Sequence, residues 1–307
     1  MKILYMGTPD FAVLPLQKLI EDNHEIVGVI TREDKPKGRG MKVVMTPVKE
    51  YALTQNIPVY QPTTLKENAI AELLTELSPD LIVVVAYGKI LPKYILDFPK
   101  FGCINLHGSL LPKYRGSAPI QHAVLNGDKV SGVSTMLMNE GMDTGDILMM
   151  REINIEDDDT SESLFDKLSV VGSELLSETV TLRFQGKLTP IAQNEDEATY
   201  APPILKENAK ILWDSEGEKI LNLIRGSYSW PIAFCDSEIG RIKVYKAEKG
   251  KLAGEPGKVL ALTDEGIEVA TSDGSVVITL FQVESGKRMS PVDYFRGHPS
   301  IVGTFLK

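Results

Sequence analysis

The feature that most constrains the fold of this chain is an alternation. Short apolar runs at Ile3 to Met6, Ile26 to Ile30, Leu81 to Ala86 and Ile104 to Leu106 lack the polar-every-second-residue pattern of a half-exposed strand. They read as strands buried on both faces. Between them lie helical stripes, with apolar residues at Phe11, Leu14, Leu16, Leu19 and Ile20 in "FAVLPLQKLIEDN" and again in "AIAELLTELS". Strand and helix alternating at this spacing predict βαβ units, and therefore an α/β, Rossmann-like, mostly parallel sheet with right-handed crossovers. Ligands of such sheets bind beyond the carboxyl ends of the strands. The two most unusual loops, "AYGKILP" after Val85 and "HGSLLPKYRG" after Leu106, both fall there.

Further along, a helix is expected from about Ala118, then an antiparallel extension through "VSTMLMNEGMDTGDILMMREINI". A long helix follows, with Thr160 or Ser161 as its N-cap and Gly186 just past its end. The polar, proline-bearing "KLTPIAQNEDEATYAPPI" has no periodicity and reads as a linker. Beyond it, a short helix and several short strands punctuated by turns predict a small OB-like β-barrel, a fold that commonly binds oligonucleotides without by itself establishing function. The expected domains are 1–189, a linker at 190–207, and 208–307. A length of 307 residues suits two domains.

Composition excludes several classes. No apolar run approaches the ~18 residues of a membrane span, and "MKILYMGTPDF" carries no signal-peptide h-region, which points to a cytosolic address. Cys103 and Cys235 form no CxxC, and the four histidines form no metal-binding motif, so neither a disulfide framework nor a metal centre is expected. The net charge of −9 argues against a nucleic-acid partner, but it is unevenly spread. Residues 1–206 sum to −8 and residues 207–307 to only −1. Basic clusters stand at Lys35, Lys37, Arg39 and Lys42 in "DKPKGRGMK" and around Arg241, Lys243 and Lys246; each has an ordinary solvated-surface reading as well.

"MGTPDFA" sits where a dinucleotide fingerprint would, yet it has one glycine, Gly7, where that motif needs three, and no phosphate-cradling P-loop exists. The chemistry concentrates elsewhere. Asn105 and His107, two apart on a strand, project to the same side from its end. Both residues can simply satisfy a turn. The following loop favours a site: Leu110 and Leu111 give an apolar wall, Pro112 stiffens it, and Arg115 with Gly116 offers a charge and backbone freedom. An amide and an imidazole aimed at one point can stabilise a carbonyl oxygen that becomes an oxyanion, which suits acyl transfer. Asp143 in "NEGMDTGDI" supplies a base or an orienting group, with Asp146 as its competitor.

"NLHGSLLPKYRGSAPIQHAVLNGD" followed by "GMDTGDIL" resembles the signature of the folate-dependent formyltransferases. The resemblance spans the chain, from "MGTPDFA" to "SWPIAF" and "IKVYKA". It implies 10-formyltetrahydrofolate as formyl donor and co-substrate, without a metal. By the same resemblance Asn105, His107 and Asp143 form the catalytic trio, Ser109, Leu110, Leu111 and Pro112 contact the folate, and the loop of Ala86, Tyr87, Gly88 and Ile90 lines the pterin pocket. Within the family, the "KPKGRGMK" loop resembles an insertion that enters a tRNA acceptor stem, with Arg39 as the foremost contact. The expected acceptor is therefore the α-amine of methionyl initiator tRNA, and the expected enzyme a monomer. A sugar-nucleotide amine is the alternative acceptor, and an RNA-binding protein without catalysis the rival class.

Overall fold

The computed structural model describes residues 1–37 and 42–307. From the N-terminus the strands are β1 (Lys2–Gly7), β2 (Glu25–Ile30), β3 (Lys35–Lys37), β4 (Lys42–Val44), β5 (Val59–Tyr60), β6 (Leu81–Val85), β7 (Cys103–His107) and β8 (Arg115–Gly116). They continue with β9 (Val130–Leu137), β10 (Ile147–Asn154), β11 (Tyr200–Ala201), β12 (Ala233–Ser237), β13 (Gly240–Lys249), β14 (Val259–Leu262), β15 (Ile267–Ala270) and β16 (Ser275–Val283). The helices are α1 (Val13–Glu21), α2 (Pro47–Thr54), α3 (Ala71–Leu77), α4 (Lys93–Leu96), α5 (Pro119–Leu125), α6 (Ser161–Phe184), α7 (Gly217–Gly226) and α8 (Pro291–Phe295).

The chain divides into two compact units. The first comprises 1–119, 130–153 and 165–201. Its sheet has seven strands in the order β10-β9-β7-β6-β1-β2-β5. The central β1 runs parallel to β2 and β6, and β6 is parallel to β7, whereas β9 joins β7 antiparallel. Of the runs read as doubly buried strands, three are so in their strands: every residue of β6 and β7 is buried and Ile3 to Met6 are fully so, whereas Ile26 and Val27 of β2 are half-buried and Ala86, beyond β6, is exposed. Each such aliphatic side chain contributes roughly 1.5–3 kcal/mol by leaving water. Local chemistry fixes the helix ends. Thr46 caps α2, accepting from the Lys49 N–H at 3.2 Å, with Pro47 at the first helical position. α6 runs out before Gly186, whose φ of +66° suits the left-handed turn that ends helices. Gly7 belongs to a tight strand-to-helix turn, since a Cβ there would lie 2.8 Å from that of Ala12.

The second unit comprises 120–129, 154–164 and 202–307. Its five-stranded antiparallel sheet has the order β12-β13-β16-β15-β14 and encloses a core that includes Trp213, Ile224, Ile242, Val269, Ile278 and Phe281. The C-terminal segment joins the two sheet edges. Asp236 and Lys307 exchange backbone hydrogen bonds at 2.7 and 2.8 Å, while Leu306 N–H donates to Gly257 and Val259 N–H to Thr304, at 2.8 and 2.9 Å. This closure makes the sheet a small barrel of the kind expected.

Candidate active site

Parallel register brings the critical loops to one level. Val84 pairs with Asn105 and Val85 with Leu106, so the chain from Ala86 leaves the sheet beside His107. Gly7 pairs with Val85, and the Thr8 hydroxyl donates to the Tyr87 carbonyl at 3.2 Å. The carboxyl ends of β1, β6 and β7 thus frame one place.

Asn105 is 9 % exposed, and among the described residues its side-chain amide has no hydrogen-bond partner. An amide that no protein group holds is free to meet a ligand that supplies a partner. His107 is 6 % exposed. Its Nε2 lies 2.9 Å from the Tyr114 carbonyl oxygen, which can only accept, so Nε2 carries the hydrogen and Nδ1 faces the Asp143 carboxylate. That gap, 3.7 Å from Nδ1 to Oδ2, is an ion-pair distance and too long for a hydrogen bond. Oδ2 accepts instead from the Gly116 N–H at 2.8 Å. Asp146 is exposed and takes part in this turn through its backbone, its carbonyl accepting from Leu137 N–H.

The loop after β7 is held by hydrogen bonds of its own and to β9. Leu111–Pro112 is a cis peptide. The Ser134 hydroxyl accepts from Leu111 N–H at 3.0 Å and donates to the Ser109 carbonyl at 2.7 Å, while the Ser109 hydroxyl donates to Lys113. Leu111 is buried with Met136 and Ile147, and Leu110 lies half-buried against Gly132. In the loop after β6, Ala86 and Gly88 have positive φ and are exposed, and Ile90 is 81 % exposed. Tyr87 points the other way, into the core with Leu4, Met6 and Ile30; its hydroxyl has no partner among the described residues, and burial pushes its pKa up to about 12. Burial likewise pushes the Cys103 thiol up to about 12, which leaves it protonated and unreactive.

Arg115 departs from the sequence reading, in which its charge was offered to a ligand. The side chain is wholly buried. Nη1 and Nη2 each donate to Glu195 at 2.8 Å, and Nε and Nη2 donate to Gln193 Oε1 at 3.1 and 2.9 Å. The Gln193 amide donates in turn to the Asp143 and Gly145 carbonyls at 2.8 and 2.7 Å. β8 pairs with β11, and Tyr114 N–H donates to Thr199 Oγ1 at 2.8 Å. Sequence reasoning missed Gln193, Glu195 and Thr199 because they sit in a polar stretch that looks like any loop.

A formyl transferase family model matches residues 1–180, and a formyl transferase C-terminal domain model matches residues 203–299. The chain belongs to the formyltransferase family. A methionyl-tRNA formyltransferase of Caldanaerobacter subterraneus is 47 % identical, covering all of both chains. Those of Alkaliphilus oremlandii and Clostridioides difficile are 46 % and 44 % identical over the whole of this chain and 99 % and 100 % of theirs. Among solved structures, HypX from Aquifex aeolicus in complex with tetrahydrofolic acid superposes with a TM-score of 0.63 at 20 % identity. It covers 96 % of this formyltransferase, which spans about half, 47 %, of that chain. An N-formyltransferase from Helicobacter canadensis, in complex with folinic acid and dTDP-3-aminofucose, gives 0.67 at 20 % identity over 91 % of this chain and 99 % of its own. Such distant structures share the fold.

The expected tRNA-contact residues are spread over both units. Lys35 is exposed on β3, and Lys37 faces Lys42 across the β3–β4 ladder. Arg39 lies outside the described residues. In the barrel, Arg241 pairs with Asp236 at 3.0 Å and lies 4.5 Å from the Phe234 ring centroid, and Lys246 pairs with Glu248 at 3.2 Å. Lys243 is exposed with no ion pair among the described residues. Near it, the Arg288 guanidinium sits 3.8 Å from the Tyr245 ring centroid and 6.0 Å from that of Tyr228. Among the described residues, no group of His, Cys, Asp and Glu could hold a metal, and no helix is long and apolar enough to cross a membrane.

Proposed function

We propose that this chain transfers the formyl group of 10-formyltetrahydrofolate to the α-amine of methionyl initiator tRNA, as a cytoplasmic monomer. Identity of 44–47 % over the whole chain to methionyl-tRNA formyltransferases carries the choice of acceptor. The Asn105 amide, without a partner among the described residues and two residues from His107 at the end of β7, supports the chemistry. It fits a formyl oxygen that gains negative charge as the amine adds to the carbon.

Asn105 donates to that oxygen, and His107 Nδ1, when protonated, does the same. Asp143 orients the ring by charge from 3.7 Å and, through a water, accepts the proton the amine sheds. Charge-bearing contacts of this kind tighten when the reactants are bound. The C–N bond to the donor then breaks, and the departing nitrogen takes up a proton. Leu110, Leu111 and Pro112 with Ser109 wall the donor on one side, and Ala86, Gly88 and Ile90 on the other; Tyr87 supports that loop from the core. We assign catalysis to 1–189 and tRNA docking to the 208–307 barrel and the segment carrying Lys35, Lys37, Arg39 and Lys42, with 190–207 between. The ion pairs of Arg241 and Lys246 are exposed and weak, so both remain available to phosphates beside Lys243.

The test offers 10-formyltetrahydrofolate with methionyl initiator tRNA, a dTDP-amino sugar or glycinamide ribonucleotide in parallel. Release of tetrahydrofolate with formylation of the tRNA alone is expected, and tRNA affinity should fall steeply between ~50 and ~200 mM salt. Formylation of the sugar alone would replace this reading with the alternative acceptor, and tRNA binding without tetrahydrofolate release would make the chain an RNA-binding protein.

A further inference from the structure

Asp143 stands in an unusual place. Its φ is +54°, a left-handed conformation that costs a non-glycine residue energy and persists only when surroundings hold it. Two contacts do so. The carboxylate is tied to the Gly116 N–H, and the Gln193 amide bridges the carbonyls of Asp143 and Gly145 from one side. Gln193 is oriented in turn by Arg115, which donates twice to its Oε1 and is clamped by both oxygens of Glu195. Arg115 also immediately precedes Gly116, and both lie on β8, which pairs with β11. Among the described residues, the relay reaches His107 through the Asp143 carboxylate, and the Tyr114 carbonyl next to Arg115 in the chain meets the other ring nitrogen.

We infer that Gln193, locked by Arg115 and Glu195, is a positioning residue that sets the Asp143 carboxylate against His107. The inference rests on the formyl-transfer reading above. Its chemical content is narrow: the Gln193 side chain must accept from Arg115 with one atom and donate to two carbonyls with the other. Glutamate at this position keeps the length and the Arg115 contact and loses the donation, placing an oxygen against two carbonyl oxygens.

The experiment is a double-mutant cycle on the full chain with Gln193→Glu and Asp143→Ala, after the wild-type chain has shown which amine it formylates. Gln193→Glu alone should lower kcat by about 10- to 100-fold, the scale of a misplaced catalytic group. The KM values for donor and acceptor should stay within about twofold of wild type. In the Asp143→Ala background the same substitution should change nothing further, because its route of action is already gone. Equal losses in both backgrounds would mark Gln193 as a general structural support and overturn the inference, as would wild-type kcat in the single variant. If Gln193→Glu fails to fold, Gln193→Met, which forgoes both contacts without the repulsion, replaces it in the cycle with the same expected outcomes. A wild-type chain that formylates a different amine overturns the acceptor assignment alone, and the cycle is then run with that amine.

Discussion

At the residue scale, the ring of His107 is held by two partners of different character, a carbonyl at Nε2 and a carboxylate facing Nδ1. Asn105 is held by none among the described residues. Replacing either with Ala should lower kcat by about 10² to 10³, or about 2.7 to 4 kcal/mol in the transition state, the usual cost of one lost oxyanion donor. The KM for tRNA should barely change, since neither side chain is expected to bind it. Turnover near that of wild type in steady-state formylation would remove the residue from the mechanism. The i, i+2 spacing made this pair legible in the sequence. Arg115 was misread because exposure is not a property of a residue type; only the partners 78 and 80 positions away, Gln193 and Glu195, turn a surface-looking charge into a buried clamp.

At the scale of elements, the parallel strands were legible because burial on both faces leaves an unbroken apolar run. The closing segment of the barrel was not. "GTFLK" has neither alternation nor length, and its hydrogen bonds go to Asp236, Gly257 and Val259, which belong to two different edges of the sheet. Deleting 304–307 removes five backbone hydrogen bonds, four of them to the sheet edges and one to Ile301, and the buried Leu306 side chain. A loss of about 4 to 10 kcal/mol is expected, from roughly 0.5–1.5 kcal/mol per bond and 1.5–3 for the leucine. Denaturant titration followed by the fluorescence of Trp213, buried in this core, should report it. An unchanged midpoint would show that the tail is dispensable to the barrel.

At the scale of the whole molecule, stability should depend on acid in two stages. Several carboxylates are held below their ordinary range: Asp22 by Lys18 and then Ser177, Asp34 by Lys49 and Gln61, and Glu195 by Arg115. Asp273 is held down by the Gly217 N–H. Burial pushes Glu268 up, but the Ser275 hydroxyl and the N–H groups of Leu252 and Lys251 outweigh it. Burial also holds His24 below its ordinary value, with Nε2 unpartnered. In every case the unfolded chain binds the proton first, so the stabilisation is complete above the unfolded value and is lost as pH falls through the folded one. The Tm should therefore decline gently from about pH 6.5, through His24, and steeply below about pH 4, through the carboxylates. His24→Phe should remove the gentle stage alone. A Tm that does not move between about pH 7 and pH 3 would contradict this assignment of charges.

The sequence by itself determined the sheet type, the strand ends that carry Asn105 and His107, and the family signature, because each of these is written in short-range pattern: burial in unbroken runs, side-chain direction in a two-residue period, a motif in consecutive letters. Only the tertiary structure decided that Asp143 and not Asp146 faces His107, that Arg115 is a buried clamp, that the polar stretch around Gln193 grips the Asp143 turn, and that the C-terminal residues close the barrel. Each of these depends on hydrogen bonds between segments far apart in the chain, whose partners are chosen by the fold and leave no periodic trace in the residues themselves.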